Sequence, residues 1–579
     1  MLSLLSSLAL ITSALAVPLE QRQSTSSPQV TISNGTVVGF LSDGVESFSS
    51  IPFAQAPVGN LRLRPPQPLA ESFGTIQAVD PAPACPQFAF QVDELNLENL
   101  AADIVSDIIG ELIQSPIGQT AINQDEDCLF ITVQRPAGTT SDSALPVAFW
   151  IYGGGFEAGW SAMYDGTNLV KQSIALDGPV VYVAVGYRVN GFGFLAGQEL
   201  AAEGSTNLGL RDQRLGLRWV AENIAAFGGD PDKVTIWGES AGAISAMDHT
   251  IINGGDHTYN GKALFRAAIM NSGSVIPAED VSTPKAQAIY DQVVASSSCA
   301  GSSDALTCLR GLSYADFLRA VSSVPGIFSY RSLDLSYLPR PDPGDSFFSQ
   351  SPEVSVANGA YAKVPVIVGD QEDEGTLFAL VQSNITTNDE LVEYLATYFP
   401  TNPNAVADVT GLAAEYEDQI LLGQPAGSPF RTGALNSIYP QFKRLAAILG
   451  DITFTLTRRS YLNAITNAGV PAWSYLSTFL YGTPVLGTFH VTDAFLGYFL
   501  NANASLQART FQTYFISFVN SLDPNDISTA SPLIDWPQWT NASAQLLNVE
   551  ALENSLLADD FRSGAYNYLE TVGVSAFRV

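Results

Sequence analysis

The chain has few basic residues and few histidines and cysteines. Its 579 residues include 26 Lys and Arg against 57 Asp and Glu, which gives a formal net charge of -31. Such an acidic surface repels the phosphates of nucleic acids, so we expect no nucleic-acid partner. No paired C-x-x-C, H-E-x-x-H or Walker lysine occurs. The sequence therefore predicts no metal site and no cofactor.

Linkers and internal repeats are also missing from the sequence. No Gly/Ser-rich or Pro-rich stretch interrupts the middle of the chain, and no constant period appears. We therefore expect one large domain over residues 17–579. The apolar stretches within it are broken by charges, Gly or Pro, which predicts no integral membrane segment.

Residues 1–16, MLSLLSSLALITSALA, form an apolar run that ends in Ala14-Leu15-Ala16. This ending is typical of a signal-peptide cleavage site, so the protein is predicted to be secreted and extracellular. Four N-glycosylation sequons agree with secretion. Their asparagines are Asn34, Asn384, Asn503 and Asn541.

The four cysteines of a secreted chain predict two disulfides. Cys299 and Cys308 are close in sequence, which favours a local bridge and leaves Cys85 to pair with Cys128. The second bridge closes a long loop, and on the chain-entropy model it contributes roughly 4 kcal/mol of stability.

An apolar helix is predicted inside that loop, in LENLAADIVSDIIGELIQSP, residues 97–116. Apolar residues recur there at helical spacing along one face, and acidic and polar residues occupy the other face. Such a stripe usually packs into a protein core. Its representative members are Leu97, Ile104, Ile108 and Leu112.

The stretch KVTIWGESAGAIS, residues 233–245, carries the clearest chemical signal. It is interpreted as a buried strand, a tight turn over Gly238-Glu239-Ser240-Ala241-Gly242, and a helix from Ala243 onward. A G-x-S-x-G nucleophile elbow requires this context. The turn exposes Ser240 at a helix start, where the amide of Ala241 can face a developing oxyanion. A glycine-rich turn with an incidental serine is the alternative.

A second glycine-rich stretch is FWIYGGGFEAGW, residues 149–160. An apolar strand leads into Gly153-Gly154-Gly155, where backbone N–H groups can approach a ligand without obstruction from side chains. The pattern corresponds to an HGGG-type oxyanion loop with Tyr152 in place of histidine. Taken alone, it equally fits a flexible turn.

The serine needs a base, and the chain has only three histidines. His249 lies on the predicted elbow helix and should point away from Ser240, while His257 lies in a polar loop. His490 follows the apolar strand AWSYLSTFLY, in the region where α/β-hydrolases keep their histidine. We therefore predict His490 as the base.

The orienting acid should lie between the serine and the histidine, because the chain order in such hydrolases is Ser, acid, His. The stretch AKVPVIVGDQEDEGTLF, residues 362–378, is interpreted as a buried strand that leads into an acidic turn. Spacing leaves four carboxylates open. They are Asp370, Glu372, Asp373 and Glu374.

Two segments, FGGDPDKVTIWGESAG at 227–242 and EDCL at 126–129, resemble the signatures of the type-B carboxylesterase/lipase family. The similarity extends over nearly the whole mature chain. YGGGFE, GDQEDEGTLF and GTFHVTD are most similar to Candida rugosa-type fungal lipases and fungal sterol esterases. The resemblance implies an α/β-hydrolase fold, in which helices cover both faces of a large mixed, mostly parallel sheet and a lid is inserted.

The resemblance also implies particular roles for individual residues. Ser240 would be the nucleophile, His490 the base and Glu374 the acid. A buried ion pair is implied between Arg62 and Glu126. The implied oxyanion hole consists of the backbone amides of Gly154, Gly155 and Ala241.

In this group of lipases the disulfide-bounded loop, here residues 86–127, is a lid whose apolar face covers the active site or meets lipid. The expected function is hydrolysis of long-chain acylglycerols and steryl esters at an oil–water interface or micelle, without a cofactor. A lid surface exposed to water would favour a homodimer. One alternative is an esterase for small soluble esters. Another is a non-catalytic adhesion-type protein, which the intact serine, glutamate and histidine disfavour.

Overall fold

The computed structural model describes residues 27–89, 123–419, 424–425, 437–483, 485–526 and 533–579. The predicted signal peptide, residues 1–16, lies outside these ranges. So does most of the predicted lid, including Leu97, Ile104, Ile108 and Leu112. These assignments stay predictions.

Eighteen strands occur in the described ranges. They are β1 (Gln29–Ile32), β2 (Gly35–Val38), β3 (Phe40–Ser42), β4 (Val45–Pro52), β5 (Gly74–Gln77), β6 (Phe130–Pro136), β7 (Leu145–Ile151), β8 (Val181–Val185), β9 (Gly229–Glu239), β10 (Thr258–Tyr259), β11 (Lys262–Ala263), β12 (Ala267–Asn271), β13 (Val366–Gln371), β14 (Asp418–Gln419), β15 (Gln424–Pro425), β16 (Ala472–Ser477), β17 (Gln545–Val549) and β18 (Ser555–Ala558).

Fifteen α-helices occur in the same ranges. They are α1 (Thr167–Ala175), α2 (Asn190–Phe194), α3 (Gln198–Ala202), α4 (Leu208–Asn223), α5 (Ala241–Ile251), α6 (Pro284–Ala295), α7 (Ala305–Gly311), α8 (Tyr314–Val321), α9 (Pro352–Ala357), α10 (Asn388–Ala396), α11 (Ala405–Ala414), α12 (Phe442–Gly450), α13 (Leu456–Asn467), α14 (Leu506–Ser521) and α15 (Ser563–Val572). A π-helical segment, Asp451–Thr455, joins α12 to α13.

Eleven strands form the central sheet in the order β18-β17-β16-β13-β12-β9-β7-β8-β6-β4-β3. Pairing is parallel from β17 through to β8 and antiparallel at both edges. Central strands such as β8 and β12 are buried at every residue, as expected of parallel strands covered on both faces. The predicted mixed, mostly parallel sheet is confirmed.

Helices cover both faces of this sheet. Neighbouring residues of a strand point to opposite faces, and on β7 these neighbours are Phe149 and Trp150. Trp150 packs edge-to-face on Trp237, which in turn contacts Phe515 of α14. A Cβ placed on Gly216 of α4 would meet the ring of Phe149 at 3.4 Å. The core is therefore sealed by α4 on one face and by α14 on the other.

Both predicted disulfides are present, one between Cys85 and Cys128 and the other between Cys299 and Cys308. The first joins the two ends of the predicted lid loop to each other. Because both of its half-cystines are buried, they anchor the ends of that loop in the core.

The implied ion pair between Arg62 and Glu126 is also present. Arg62 Nε donates to Glu126 Oε1 at 2.6 Å, and Nη2 donates to Oε2 at 2.7 Å. Arg62 Nη1 further donates to the carbonyl of Leu312 at 2.7 Å. The buried charges are thus paired and hydrogen-bonded, the condition under which burial of an ion pair is tolerated.

Candidate active site

Ser240 lies at the sharp corner between β9 and α5. Its backbone has φ 56° and ψ -125°, a strained conformation of a kind that clusters at functional sites. The corner is tight because a Cβ on Gly242 would lie 2.0 Å from the carbonyl oxygen of Ile151. The helix begins at Ala241, two residues earlier than predicted. The elbow therefore presents Ser240 at the first turn of a helix.

Ser240, His490 and Glu374 form a continuous hydrogen-bonded chain. The distance from Ser240 Oγ to His490 Nε2 is 2.7 Å, and that from His490 Nδ1 to Glu374 Oε2 is 2.5 Å. Because a carboxylate only accepts hydrogen bonds, Nδ1 carries the imidazole proton and Nε2 is free to accept from the serine. The second oxygen of Glu374 accepts from the backbone N–H of Gln371 at 2.7 Å. The imidazole is held in the tautomer that a general base requires.

The carboxylates of the acidic turn after β13 have different hydrogen-bond partners. Asp370 accepts from Arg458 Nε at 2.8 Å, and Asp373 accepts from the backbone N–H of Thr488 at 2.7 Å. Of the four carboxylates that spacing left open, Glu374 is the one placed against His490. The Asp373 contact ties the acidic turn to the loop that carries the histidine.

The other two histidines contact different parts of the molecule. His249 lies in α5, where its Nε2 is 3.0 Å from Gln213 Oε1 and burial lowers its pKa. His257 packs against the ring of Phe265 at 4.8 Å. Neither contacts Ser240, in agreement with the prediction.

The glycine loop after β7 offers backbone donors beside the serine. Gly154 and Gly155 have φ values of 122° and 62°, which side-chain-bearing residues rarely adopt. Among the described residues, no acceptor is found for the backbone N–H groups of Gly154, Gly155 or Ala241. Uncommitted donors of this kind are what an oxyanion hole needs.

Tyr152, which replaces the histidine of the HGGG pattern, anchors that loop. Its hydroxyl donates to the carbonyl of Tyr187 at 2.7 Å, while the Tyr187 hydroxyl donates back to the carbonyl of Tyr152 at 2.6 Å. The two rings stack with centroids 4.2 Å apart. This reciprocal pair fixes the strand end from which the glycine loop starts.

Aromatic rings enclose the catalytic imidazole. The ring of His490 lies 4.8 Å from that of Phe454 and 5.2 Å from that of Phe378, measured between centroids. Ser240, His490 and Glu374 are each less than a tenth exposed. Exclusion of water strengthens electrostatic interactions within such a site.

Sequence reasoning missed two buried acids beside the triad. Glu239 Oε1 lies 3.6 Å from His490 Nε2, and neither carboxyl oxygen of Glu239 has a hydrogen-bond partner among the described residues. Burial raises the pKa of Glu239, and the nearby Asp493 and Glu374 raise it further. Both effects favour the uncharged form of Glu239. Its place inside the G-x-S-x-G motif was a signal that could have drawn attention to it.

The second missed acid, Asp493, follows three residues after His490. It accepts a hydrogen bond from the Tyr475 hydroxyl at 2.7 Å and another from the Tyr498 hydroxyl. Burial raises the pKa of Asp493 to about 6, although the two tyrosines lower it. The residue fixes the histidine loop against the sheet.

In the described ranges, no group of three or more His, Cys, Asp or Glu side chains is arranged to hold a metal ion. The helices in those same ranges include none with the length and hydropathy needed to cross a membrane.

The central strands of the sheet are parallel, and Ser240 lies at a strained turn between a strand and a helix. Together with the hydrogen-bonded chain of Ser240, His490 and Glu374, these features define a hydrolase with the α/β-hydrolase fold. Residues 26–568 match the model of the carboxylesterase family. The chain belongs to this family, and its activity class is that of a carboxylic ester hydrolase.

Several fungal lipases are similar to this chain over most of its length. It is 51% identical to "Secreted lipase 1" of Botryotinia fuckeliana, with 98% of each chain covered. It is 50% identical to "Secreted triacylglycerol lipase LIP1" of Gibberella zeae, covering 93% of this chain and 89% of that protein. "Lipase 4" of Diutina rugosa is 44% identical over 95% of this chain and 97% of its own. Two of these relatives are named as secreted lipases, which agrees with the predicted extracellular location of this protein.

The fold is also found in a solved structure. The crystal structure of Aspergillus niger EstA superposes with a TM-score of 0.75 at 27% identity, covering 95% of this chain and 99% of that one. The α/β-hydrolase fold implied by the sequence is confirmed.

Proposed function

We propose that the protein is a secreted lipase that hydrolyses lipid esters through Ser240, His490 and Glu374. His490 Nε2 takes the proton of Ser240 as Oγ attacks the ester carbonyl carbon. The tetrahedral oxyanion receives hydrogen bonds from the amides of Gly154, Gly155 and Ala241. These six residues perform both halves of the reaction.

Collapse of the tetrahedral intermediate breaks the ester bond. His490 gives its proton to the leaving alcohol, and the acyl group stays on Ser240. Water then attacks the acyl-enzyme with His490 again as the base. As the bond between the acyl carbon and Oγ breaks, His490 returns the proton to Ser240 and a fatty acid is released. Glu374 remains a carboxylate and stabilises the imidazolium that forms in both steps.

One observation carries this proposal. The 2.7 Å and 2.5 Å contacts join three side chains that are distant in sequence into a hydrogen-bonded chain. In the described part of the chain, the backbone N–H groups of Gly154, Gly155 and Ala241 have no acceptor, which supports their proposed role as oxyanion donors. A non-catalytic adhesion-type protein would not need this geometry. The fungal relatives are named lipases, which favours lipid esters over small soluble esters as substrates.

We further propose that residues 86–127 are a lid that controls access to this site. Support comes from the apolar helical stripe in the sequence and from the Cys85–Cys128 bridge that closes the loop. The homodimer expected through the lid surface depends on residues outside the described ranges and stays a prediction. Glycosylation is likewise a proposal, supported by the exposure of Asn384, Asn503 and Asn541 and the half-buried position of Asn34.

Initial rates on emulsified triolein, on cholesteryl oleate and on a short soluble ester test the substrate class. Each substrate is assayed below and above its solubility limit. We expect the rate on triolein to rise sharply once a lipid–water interface is present. A rate that saturates below the limit and gains nothing beyond it would support the soluble-ester esterase instead.

The lid is tested separately by replacing Ile104, Ile108 and Leu112 with serine. If their side chains contact lipid, activity on emulsions falls far more than activity on the soluble ester. An equal loss on both substrates would assign the stripe to ordinary core packing.

A further inference from the structure

Gln87 is a buried side chain that the proposed mechanism does not use. It follows Cys85 by two residues, at the start of the predicted lid loop, and it is 7% exposed. Its Oε1 accepts from the backbone N–H of Gly159 at 2.6 Å, and its Nε2 donates to the Gly159 carbonyl at 3.0 Å. One side-chain amide therefore binds both backbone polar groups of a single glycine.

The amide of Gln87 is itself held in place by neighbouring groups. Its Nε2 makes a second hydrogen bond to the carbonyl of Cys85 at 2.7 Å, and the backbone N–H of Gln87 donates to Gln124 Oε1 at 2.9 Å. Cys85 is fixed in the core by its bridge to Cys128. Gly159 is thus bonded to a side chain that is anchored next to a buried disulfide.

Gly159 belongs to the glycine loop, residues 152–160, which also contains the proposed oxyanion donors. This loop folds back on itself, because the Gly154 carbonyl accepts from the N–H groups of Glu157 and Ala158, both at 3.0 Å. Gly159 approaches Gly153 so closely that a Cβ on Gly159 would lie 2.2 Å from the Gly153 carbonyl oxygen. A shift of Gly159 would therefore displace the neighbouring glycines as well.

The glycine loop needs an external attachment to hold its shape. Residues 152–160, all within the described ranges, belong to no α-helix or β-strand. Gly154 and Gly155 have positive φ values, and glycine is the residue with the greatest conformational freedom. Oxyanion donors are effective when they are preorganised at the position where charge develops. The amide of Gln87 supplies a restraint of this kind from outside the loop.

We propose that Gln87 is a positioning residue for the oxyanion hole, which holds the amides of Gly154 and Gly155 where the oxyanion forms. This inference rests on the proposed function. The effect belongs to the transition state, because full negative charge on the oxygen develops there and not in the bound ester. Acylation and deacylation both pass through such an oxyanion. Loss of the restraint should therefore lower kcat and leave KM nearly unchanged.

The test replaces Gln87 with methionine, which has a similar length but cannot pair with both backbone groups of Gly159. Rates are measured on p-nitrophenyl butyrate below its solubility limit, so that no lipid interface is involved. We expect kcat to fall about tenfold to hundredfold, with KM within about twofold of the wild-type value. The loss is partial because the backbone hydrogen bond from Phe88 to the Glu157 carbonyl, at 2.9 Å, remains. Gln87→Ala should act in the same way, and it serves if the methionine variant does not fold.

A transition-state analogue gives a readout that a merely structural role would not change. Ser240 Oγ adds to the carbonyl carbon of an alkyl trifluoromethyl ketone, its proton passes to His490, and the carbonyl oxygen becomes an oxyanion in the tetrahedral adduct. The Ki of the ketone should rise in Gln87→Met by about the same factor as kcat falls. The Ki of the corresponding alcohol, which forms no adduct, should not change.

Gln134→Met is the matched control. Gln134 is also a buried glutamine whose Oε1 accepts from a glycine N–H, that of Gly166 at 2.7 Å. Its Nε2 donates to Ser47 and Asp165, which lie outside the glycine loop. The control should leave kcat and the Ki of the ketone unchanged, even if it lowers the Tm.

Three results would overturn the inference. They are an unchanged kcat in Gln87→Met, a loss that appears in KM alone or leaves the Ki of the ketone unchanged, and an equal loss of kcat in Gln134→Met. A wild-type protein that hydrolyses no ester would instead refute the proposed function.

Discussion

At the residue scale, Glu374 acts on His490 through one short contact, so its charge can be removed with little change in shape. In Glu374→Gln the amide nitrogen would face Nδ1 and favour the wrong imidazole tautomer. By analogy with the same change in a serine protease triad, we expect kcat to fall about ten-thousandfold. Steady-state kinetics on a soluble p-nitrophenyl ester measure the effect.

Glu372→Gln is the control for that substitution. Glu372 belongs to the same acidic turn, but His490 pairs with Glu374. Activity of the control should stay near that of the wild type. If both glutamine variants lose activity to the same degree, the effect comes from the turn as a whole.

Asp493 makes the free energy of unfolding of the protein depend on pH. Its pKa is about 6 in the folded state and about 3.9 in an unfolded chain. Its contribution is thus fully present below about pH 4 and is lost as the pH rises through about 6. This pH-dependent contribution to the free energy of unfolding is roughly 3 kcal/mol, and we expect Asp493→Asn to remove it.

The measurement is the free energy of urea unfolding for wild type and Asp493→Asn, taken at about pH 4 and about pH 7. The advantage of the wild type over the variant should be larger at the lower pH. An equal difference at the two pH values would show that Asp493 does not titrate as described.

Residue roles were predicted from the sequence only where a local motif defined them. Ser240 follows from its strand–turn–helix context, and His490 from the scarcity of histidines. Spacing could not select Glu374, because that choice depends on Arg458 pairing with Asp370.

At the scale of elements, the elbow depends on close approach of α5 to β7. A methyl group at position 242 would lie 2.0 Å from the Ile151 carbonyl oxygen, so Gly242→Ala must push the helix away from the strand. We expect a loss of about 1–3 kcal/mol of stability or more, together with a large loss of activity as Ser240 moves. Thermal unfolding and ester hydrolysis report the two effects.

Gly311→Ala is a matched substitution in a helix where no atom lies within 4 Å of the added group. It should be neutral or slightly stabilising, because alanine is the better helix former. A Gly242→Ala variant as stable and active as Gly311→Ala would contradict the packing described for the elbow.

Elements were predictable where their signal is local. The buried strand before Ser240 and the strand at the start of the acidic turn follow from apolar runs bounded by turn residues. The order of the eleven strands did not follow from such runs, because pairing such as that of β13 with β16 joins segments about a hundred residues apart. The family resemblance implied only that the sheet is large, mixed and mostly parallel, and the strand order is seen first in the structure.

At the scale of the whole molecule, the two disulfides should contribute unequally. The Cys85–Cys128 bridge spans 43 residues and the Cys299–Cys308 bridge spans 9. On the chain-entropy model these loops correspond to roughly 4 and roughly 2.6 kcal/mol. We expect a double serine variant of the first pair to lower the Tm more than the same change in the second pair. The reverse order would contradict this ranking.

The most direct test of the proposed chemistry uses an alkyl p-nitrophenyl phosphonate as a covalent probe. Attack by Ser240 Oγ forms an oxygen–phosphorus bond and expels p-nitrophenolate. We predict one nitrophenolate released per chain, a phosphonyl group on the peptide that contains Ser240, and parallel loss of esterase activity. Labelling of another residue while Ser240 stays free, or a Ser240→Ala variant that is still labelled and still hydrolyses esters, would contradict the proposal.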